Sequence, residues 1–156
     1  MPQRQPQGMT DINITNVCVQ DICAIAALEQ LVFGEIIYPA FLFRQVFDCY
    51  ADTFWVARLG HQVVGYLLAV PAHDGRLAIW SIAVGPQARG QGIGRLLLDK
   101  ALGYAKAKRC AAWLTVDPAN SAAQALYRAA NMQCIAEEKH YYGENEHRQL
   151  WQFNDY

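Results

Sequence analysis

The chain has 156 residues, enough for one domain with a substantial core and too few for two domains of ordinary size. Its 13 basic and 14 acidic residues leave a net charge of -1 and are mixed along the chain, which argues against a nucleic-acid surface and for a small-molecule or peptide ligand. The longest apolar runs, such as Val63 to Val70 and Ala78 to Val84, fall far short of the roughly 20 residues of a membrane helix, so a soluble protein without a membrane partner is expected.

Residues 1–10, which open as MPQRQPQG, are polar and lack the apolar segment of a secretory signal. They read as a flexible tail, with 11–156 as the single domain. Ile12-Asn13-Ile14-Thr15-Asn16-Val17 alternates and is rich in β-branched residues, which predicts a first strand. Asp21 is suited to cap a helix running to about Phe33, with Ile25, Leu28 and Val32 on one face and Gly34 at its end. Pro39, favoured in a first helical turn, restarts the chain as a second short helix carrying Phe43, Val46, Phe47 and Tyr50. Between the two helices, Glu35 and Tyr38 lie in a loop and are available for recognition.

Phe54 to Leu59, a turn at Gly60-His61 and Gln62 to Val70 predict a hairpin, with Leu77 to Val84 as the next strand. There follow GPQA, the glycine-rich RGQGIG and a helix to Lys108, along which Ile93, Leu97, Ala101 and Ala105 recur at helical spacing. Ala111 to Val116 reads as a buried strand, parallel to Leu77 to Val84 because a helix crosses between them. Pro118-Ala119-Asn120 turns into a helix from about Ser121 to Ala130, and Met132 to Tyr142 and Arg148 to Phe153 close the chain as a hairpin around Gly143.

The glycines therefore open a helix. The first N–H groups of a helix lack internal partners and carry the positive end of its dipole, and Gly90, Gly92 and Gly94 leave room for a bulky anion against that backbone. A diphosphate fits this cradle, with Arg89 and Arg95 on its flanks able to add charge-assisted hydrogen bonds. A Walker A loop is excluded, because Gly94 is followed by Arg95 and Leu96 rather than Lys and Ser or Thr. A dinucleotide fingerprint has Arg95 where its third glycine belongs, and three antiparallel strands precede the loop instead of a first βα unit. It stays as an alternative, beside glycines that serve packing alone.

The five cysteines, Cys18, Cys23, Cys49, Cys110 and Cys134, are scattered and form no Cys-x-x-Cys pair, which reads as buried or incidental thiols of a reducing cytoplasm. The histidines, His61, His73, His140 and His147, are isolated in sequence, so no metal site is expected.

Arg89-Gly90-Gln91-Gly92-Ile93-Gly94, preceded by the strand ending Ser81-Ile82-Ala83-Val84, resembles the Arg/Gln-x-x-Gly-x-Gly/Ala motif of the GCN5-related N-acetyltransferase (GNAT) family. Leu114-Thr115-Val116-Asp117-Pro118-Ala119-Asn120, with Ala125-Leu126-Tyr127 after it, is similar to the family's second acetyl-CoA motif. The resemblance runs from about Ile12 to Phe153 and looks closest to the bacterial ribosomal-protein N-terminal (alanine) acetyltransferase type. It implies an α/β fold: one GNAT-like domain, a mixed, mostly antiparallel sheet of about six or seven strands, and helices on both faces.

It also implies acetyl transfer from acetyl-CoA to a primary amine in a ternary complex, by a monomer or homodimer. Ile82, Ala83 and Val84 would hold the pantetheine arm and polarise the thioester carbonyl. The segment Arg89, Gly90, Gln91, Gly92, Ile93, Gly94 and Arg95 would hold the diphosphate, and Asn120 would bond the amide-bearing arm or cap its helix. Tyr127 would reprotonate the departing thiolate, a task suited to a phenol of pKa about 10. Where the N-terminal acetyltransferase type has a glutamate base, this chain has Thr115, which cannot accept a proton near neutral pH. Glu35 takes that role in this reading, with ordered water as the competitor. His140-Tyr141-Tyr142-Gly143-Glu144-Asn145 resembles the family's peptide-closing Tyr-Tyr loop but lacks its usual proline or aspartate-glycine pattern. Tyr141 and Tyr142, read as alternating on a strand, would put one side chain on an acceptor groove shared with Glu35 and Tyr38. The acceptor is then a peptide N-terminus or a small amine such as a polyamine, aminoglycoside or amino acid.

Overall fold

A computed structural model describes residues 11–154. Its strands are β1 (Ile12–Asn16), β2 (Phe54–Leu59), β3 (Gln62–Pro71), β4 (Leu77–Val84), β5 (Ala112–Val116), β6 (Gln133–Glu138) and β7 (Arg148–Phe153). They form one sheet of order β1-β2-β3-β4-β5-β7-β6. Only β4 and β5 run parallel, so β1 adds a fourth antiparallel strand to the three expected before the glycine loop. The closing hairpin forms, but β7 lies between β5 and β6. The first strand of the pair is thus the sheet edge, an arrangement set by non-local pairing that periodicity does not report.

The helices are α1 (Ile22–Phe33), α2 (Ala40–Tyr50), α3 (Ile93–Ala107) and α4 (Ser121–Ala129). Side-chain alternation along β3 decides what each face receives. Tyr66 and Leu68 turn toward α1 and α2, joining Ile25, Leu28, Phe43, Val46 and Phe54 in one core, while Leu67 and Ala69 join Ile93, Leu97, Leu98 and Ala101 of α3 in another. Gly65 allows the close seating of α3, since a Cβ there would lie 2.9 Å from the Ala83 carbonyl oxygen and 3.3 Å from Leu97. Pro39 caps α2 rather than occupying its first turn; its ψ of 148° is extended, and the helix begins at Ala40.

Asp21 precedes α1, but its carboxylate does not cap that helix. It accepts the Cys18 N–H at 2.8 Å and takes both terminal nitrogens of Arg58, at 2.7 and 2.6 Å. Burial alone would push the Asp21 carboxyl up, but the Arg58 and Cys18 hydrogen bonds outweigh it and hold the group below the usual carboxylate range. A lowered native pKa contributes stability above the unfolded value and loses it as pH falls through the native one. We therefore expect Asp21→Asn to cost about 2–4 kcal/mol in urea unfolding near neutral pH, because it leaves a partly buried guanidinium without its counter-charge. The difference between parent and variant should shrink in acid, and a pH-independent difference would show that packing, not charge, holds this corner.

Of the cysteines, Cys18, Cys23, Cys49 and Cys134 are exposed and Cys110 is half-buried, so of the two readings, buried or incidental thiols, the first is excluded; all are free. Sequence distance also misrepresents two histidines. His140 and His147 meet edge to face with ring centroids 4.7 Å apart, and each Nδ1 accepts a main-chain N–H at 2.9 Å, from Asn145 and His140 respectively.

Candidate active site

β4 pairs with β3 along its whole length, from Leu77↔Pro71 to Val84↔Gly65. On its other side it meets β5 only at Leu77↔Ala112 and Ala78↔Trp113. From Ile79 to Val84 that edge has no strand partner among the described residues, and the two parallel strands open into a wedge. Ile82 and Val84 pack half-buried on the α3 core, and Ala83 is buried on the opposite side. What these three offer the wedge is therefore mostly main chain, whose N–H and C=O groups require partners.

The chain then enters the cradle. Gly85 N–H bonds the Val64 carbonyl at 2.8 Å, Pro86–Ala88 forms a 3-10 turn, and α3 starts at Ile93 with Gly92 at its N-cap. Gly90 and Gly92 have φ of 79° and 75°, and a Cβ on either would meet no protein atom within 4 Å. Packing thus does not explain these two glycines; the space in front of them is open to a ligand. Gly94 differs, since its Cβ would touch Leu126 at 3.6 Å and Val84 at 3.8 Å. Ile93 is 1% exposed and can offer only its N–H, while Gln91 is exposed. Arg95 is engaged with Asp99 at 2.8 Å and the Ala129 carbonyl at 2.9 Å, tying α3 to α4. Among the described residues the one hydrogen-bond partner of Arg89 is the Val84 carbonyl, at 3.4 Å, which leaves it the freer cation of the two.

Beyond the wedge, Asn120 caps α4, its Oδ1 accepting the Ala123 N–H at 3.1 Å. Tyr127, two turns on, lies half-buried with its ring 6.2 Å from that of Trp151. Burial pushes its phenol up to about 12, above the ordinary value assumed from sequence. A phenol so raised keeps its proton near neutral pH and has it available to donate.

The opposite flank gathers aromatic residues. Ala112, Leu114 and Val116 belong to the α3 core, so Thr115 between them faces the α1–α2 side. Its hydroxyl lies 3.2 Å from that of Tyr142. Tyr142 is not on a strand as expected, and neither is Tyr141. β6 ends at Glu138, and His140, at φ 58°, begins a turn closed by Gly143 N–H on the His140 carbonyl at 3.1 Å. The left-handed residue breaks the alternation, and the two tyrosine rings end up edge to face at 4.7 Å. Tyr142 is 63% exposed. Tyr38 is half-buried; burial, then the neighbouring Tyr142 and Glu29, raise its phenol above the usual range. Glu35 is exposed on the same loop, next to Ile36.

Sequence reading passed over three residues here. Glu29, only 3% exposed, accepts the Tyr66 hydroxyl on one oxygen and the Tyr38 N–H at 3.2 Å on the other. Tyr66 in turn lies 2.9 Å from Ser81 Oγ on β4. Burial and the bond to Glu29 push the Tyr66 phenol well above the tyrosine range. The signal was available: Glu29 follows Ile25 by four residues, on the inward face of α1, where a carboxylate needs a partner.

The chain is 33% identical over 108 residues to the L-2,4-diaminobutyric acid acetyltransferase of Shouchella clausii, a match covering 66% of this chain and 61% of that protein. It thus spans less than two thirds of that relative's own length. It is 32% identical to the N-alpha-acetyltransferase RimI of Mycobacterium tuberculosis over 75% of each protein. The fold is similar to that of Ard1 from Thermoplasma volcanium, with a TM-score of 0.82 at 20% identity, covering 91% of this chain and 96% of that one. The sequence model of the Acetyltransferase (GNAT) family matches residues 23–132.

Proposed function

This chain belongs to the acetyltransferase (GNAT) family of acetyl-CoA-dependent enzymes, and from that premise we propose that it acetylates a primary amine, with a peptide N-terminus ahead of a small metabolite. The observation that carries the proposal is the β4–β5 pairing that stops after Ala78, directly before a helix start with open space at Gly90 and Gly92. Acetyl-CoA supplies the acetyl group as a thioester. The N–H groups of Gly92 to Gly94, with Arg89, hold the diphosphate, and the free edge of Ile82 to Val84 holds the pantetheine and polarises the carbonyl. Asn120 gives its side-chain oxygen to the helix cap, which leaves its amide N–H for the arm. Tyr127 donates a hydrogen bond to the sulfur as charge develops there.

Glu35 draws in the cationic acceptor, and Tyr38 and Tyr142 wall its path with faces suited to an ammonium on an apolar body. Ile36, 90% exposed next to Glu35 in the loop, and Phe41, 65% exposed in the first turn of α2, extend that apolar rim. Both named acetyltransferase relatives carry amine acceptors in their names, one an amino acid and one an α-amino group, which supports the amine class.

The test is an acetyl-CoA turnover screen across N-terminal peptides, lysine peptides, polyamines, diamino acids and aminoglycosides. Peptide N-termini are expected to give the highest kcat/KM; turnover of small amines alone would overturn the peptide preference, and release of CoA with no amine class would overturn the reaction. Within the same screen, Glu35→Gln is expected to raise KM for the acceptor by about two- to fivefold, the scale of one solvent-screened charge contact, with kcat little changed. A fall in kcat alone would instead make Glu35 the base.

A further inference from the structure

Thr115, which cannot accept a proton near neutral pH, leaves β5 without a base on the site's side of the sheet, and the interior of the α1–α2 face holds a carboxylate, Glu29. Glu29, Tyr66 and Ser81 form a continuous chain of hydrogen bonds from α1 through β3 to β4. Its inner end is a carboxylate 3% exposed; its outer end, Ser81, is half-buried beside Ile82 on the free edge of β4. Thr115 and Tyr142 lie on the same side of the sheet, and Ser81 stands on the stretch of β4 that has left its pairing with β5, so the chain ends at the free edge proposed to hold the thioester. Tyr66 has one proton and donates it to Glu29, so Ser81 is the donor to Tyr66 and its Oγ retains acceptor capacity.

We propose that Glu29 is the proton acceptor for the incoming amine, reached through the hydroxyls of Tyr66 and Ser81. The proposal rests on the acetyl-transfer reading above. The ammonium N–H breaks as Ser81 Oγ takes its proton; Ser81 passes its own proton to Tyr66, and Tyr66 passes its own to Glu29 Oε2. The nitrogen keeps the electron pair, which forms the N–C bond to the carbonyl carbon. The C–S pair departs with sulfur, which takes the second nitrogen proton by way of Tyr127, and Glu29 returns its proton to solvent after product release. Charge and atoms balance, and no other reactant is needed.

A purely positional role for Glu29 is the alternative, because its other oxygen fixes the acceptor loop through the Tyr38 N–H. Glu29→Gln separates the two: glutamine keeps a carbonyl oxygen for Tyr38 but cannot take a proton. The expected result is a loss in kcat of about 100-fold, the usual scale of a general base. The residual rate should follow the acceptor's own amine ionisation, displacing the profile to alkaline pH. Calorimetric acetyl-CoA affinity should be unchanged. Tyr66→Phe should match the loss, and the double variant should be no worse than either single one, as for residues that act as a unit. Infrared difference spectra on acceptor binding should show a protonated-carboxyl band that Glu29→Gln lacks. Wild-type kcat with an unshifted profile in Glu29→Gln, or additive losses in the double variant, would overturn the relay while leaving acetyl transfer standing. Absence of turnover by the parent protein with every amine would overturn both. If Glu29→Gln does not fold, Ser81→Ala cuts the relay at its outer end, and wild-type kcat in that variant overturns it equally.

Discussion

Replacing Gly92 by valine is expected to reduce acetyl-CoA affinity by about 10²–10⁴-fold. The estimate comes from losing two hydrogen bonds to charged oxygens at about 1.5–3 kcal/mol each. Nothing in the protein fills the space a side chain at Gly92 would enter, so the loss reflects a ligand excluded rather than a core disturbed. The backbone adds a second, smaller effect. Gly92 sits at φ 75°, where a β-branched residue is strained, and about 1–2 kcal/mol of stability should disappear with it. Calorimetry with acetyl-CoA beside thermal unfolding separates the two. Gly103→Ala is the control, since Gly103 lies in the middle of α3 with free space around it and should gain stability without touching affinity. If Gly92→Val binds acetyl-CoA as tightly as the parent, the glycines serve the turn alone and the diphosphate lies elsewhere.

Tyr127→Phe is expected to lower kcat by about 10²–10³-fold and to leave KM for acetyl-CoA within about twofold. The change removes one proton donor and almost no contact area. The ring keeps its seat against Trp151, so folding should be unaffected. The pH dependence offers an independent check. With the phenol pushed up to about 12, parent activity should persist through pH of about 10, where an ordinary tyrosine is half ionised. A phenylalanine variant with parental kcat would remove Tyr127 from the chemistry and leave reprotonation of the thiolate to water. A parent profile already falling near pH 10 would mean instead that the phenol is wetter than its packing indicates.

The cradle was legible in the sequence because every part of it is local. Strand, turn, glycines and amphipathic helix follow one another over about thirty residues, and each is announced by period or by a residue with special backbone freedom. The helix predicted to open within Gly90 to Gly94 begins at Ile93. Asn120 and Tyr127 were likewise visible as a cap and a position two turns on. Tyr141 and Tyr142 lie outside the strand expected for them because β6 ends at Glu138 and His140 opens a turn with a left-handed φ that histidine seldom signals in advance.

The sequence by itself determined the element order, the helix start behind a glycine-rich turn and the apolar stripes that seat α1, α2 and α3 on the sheet, because these depend on neighbours within a few residues. Tertiary structure alone decided where β4 and β5 part company, that β7 inserts between β5 and β6, and that Glu29, Tyr66 and Ser81 meet. Those three residues stand 37 and 15 positions apart in the chain. No local propensity encodes such a contact. It exists because α1 lays its inward face on β3, where a buried carboxylate and a buried phenol can satisfy each other out of water.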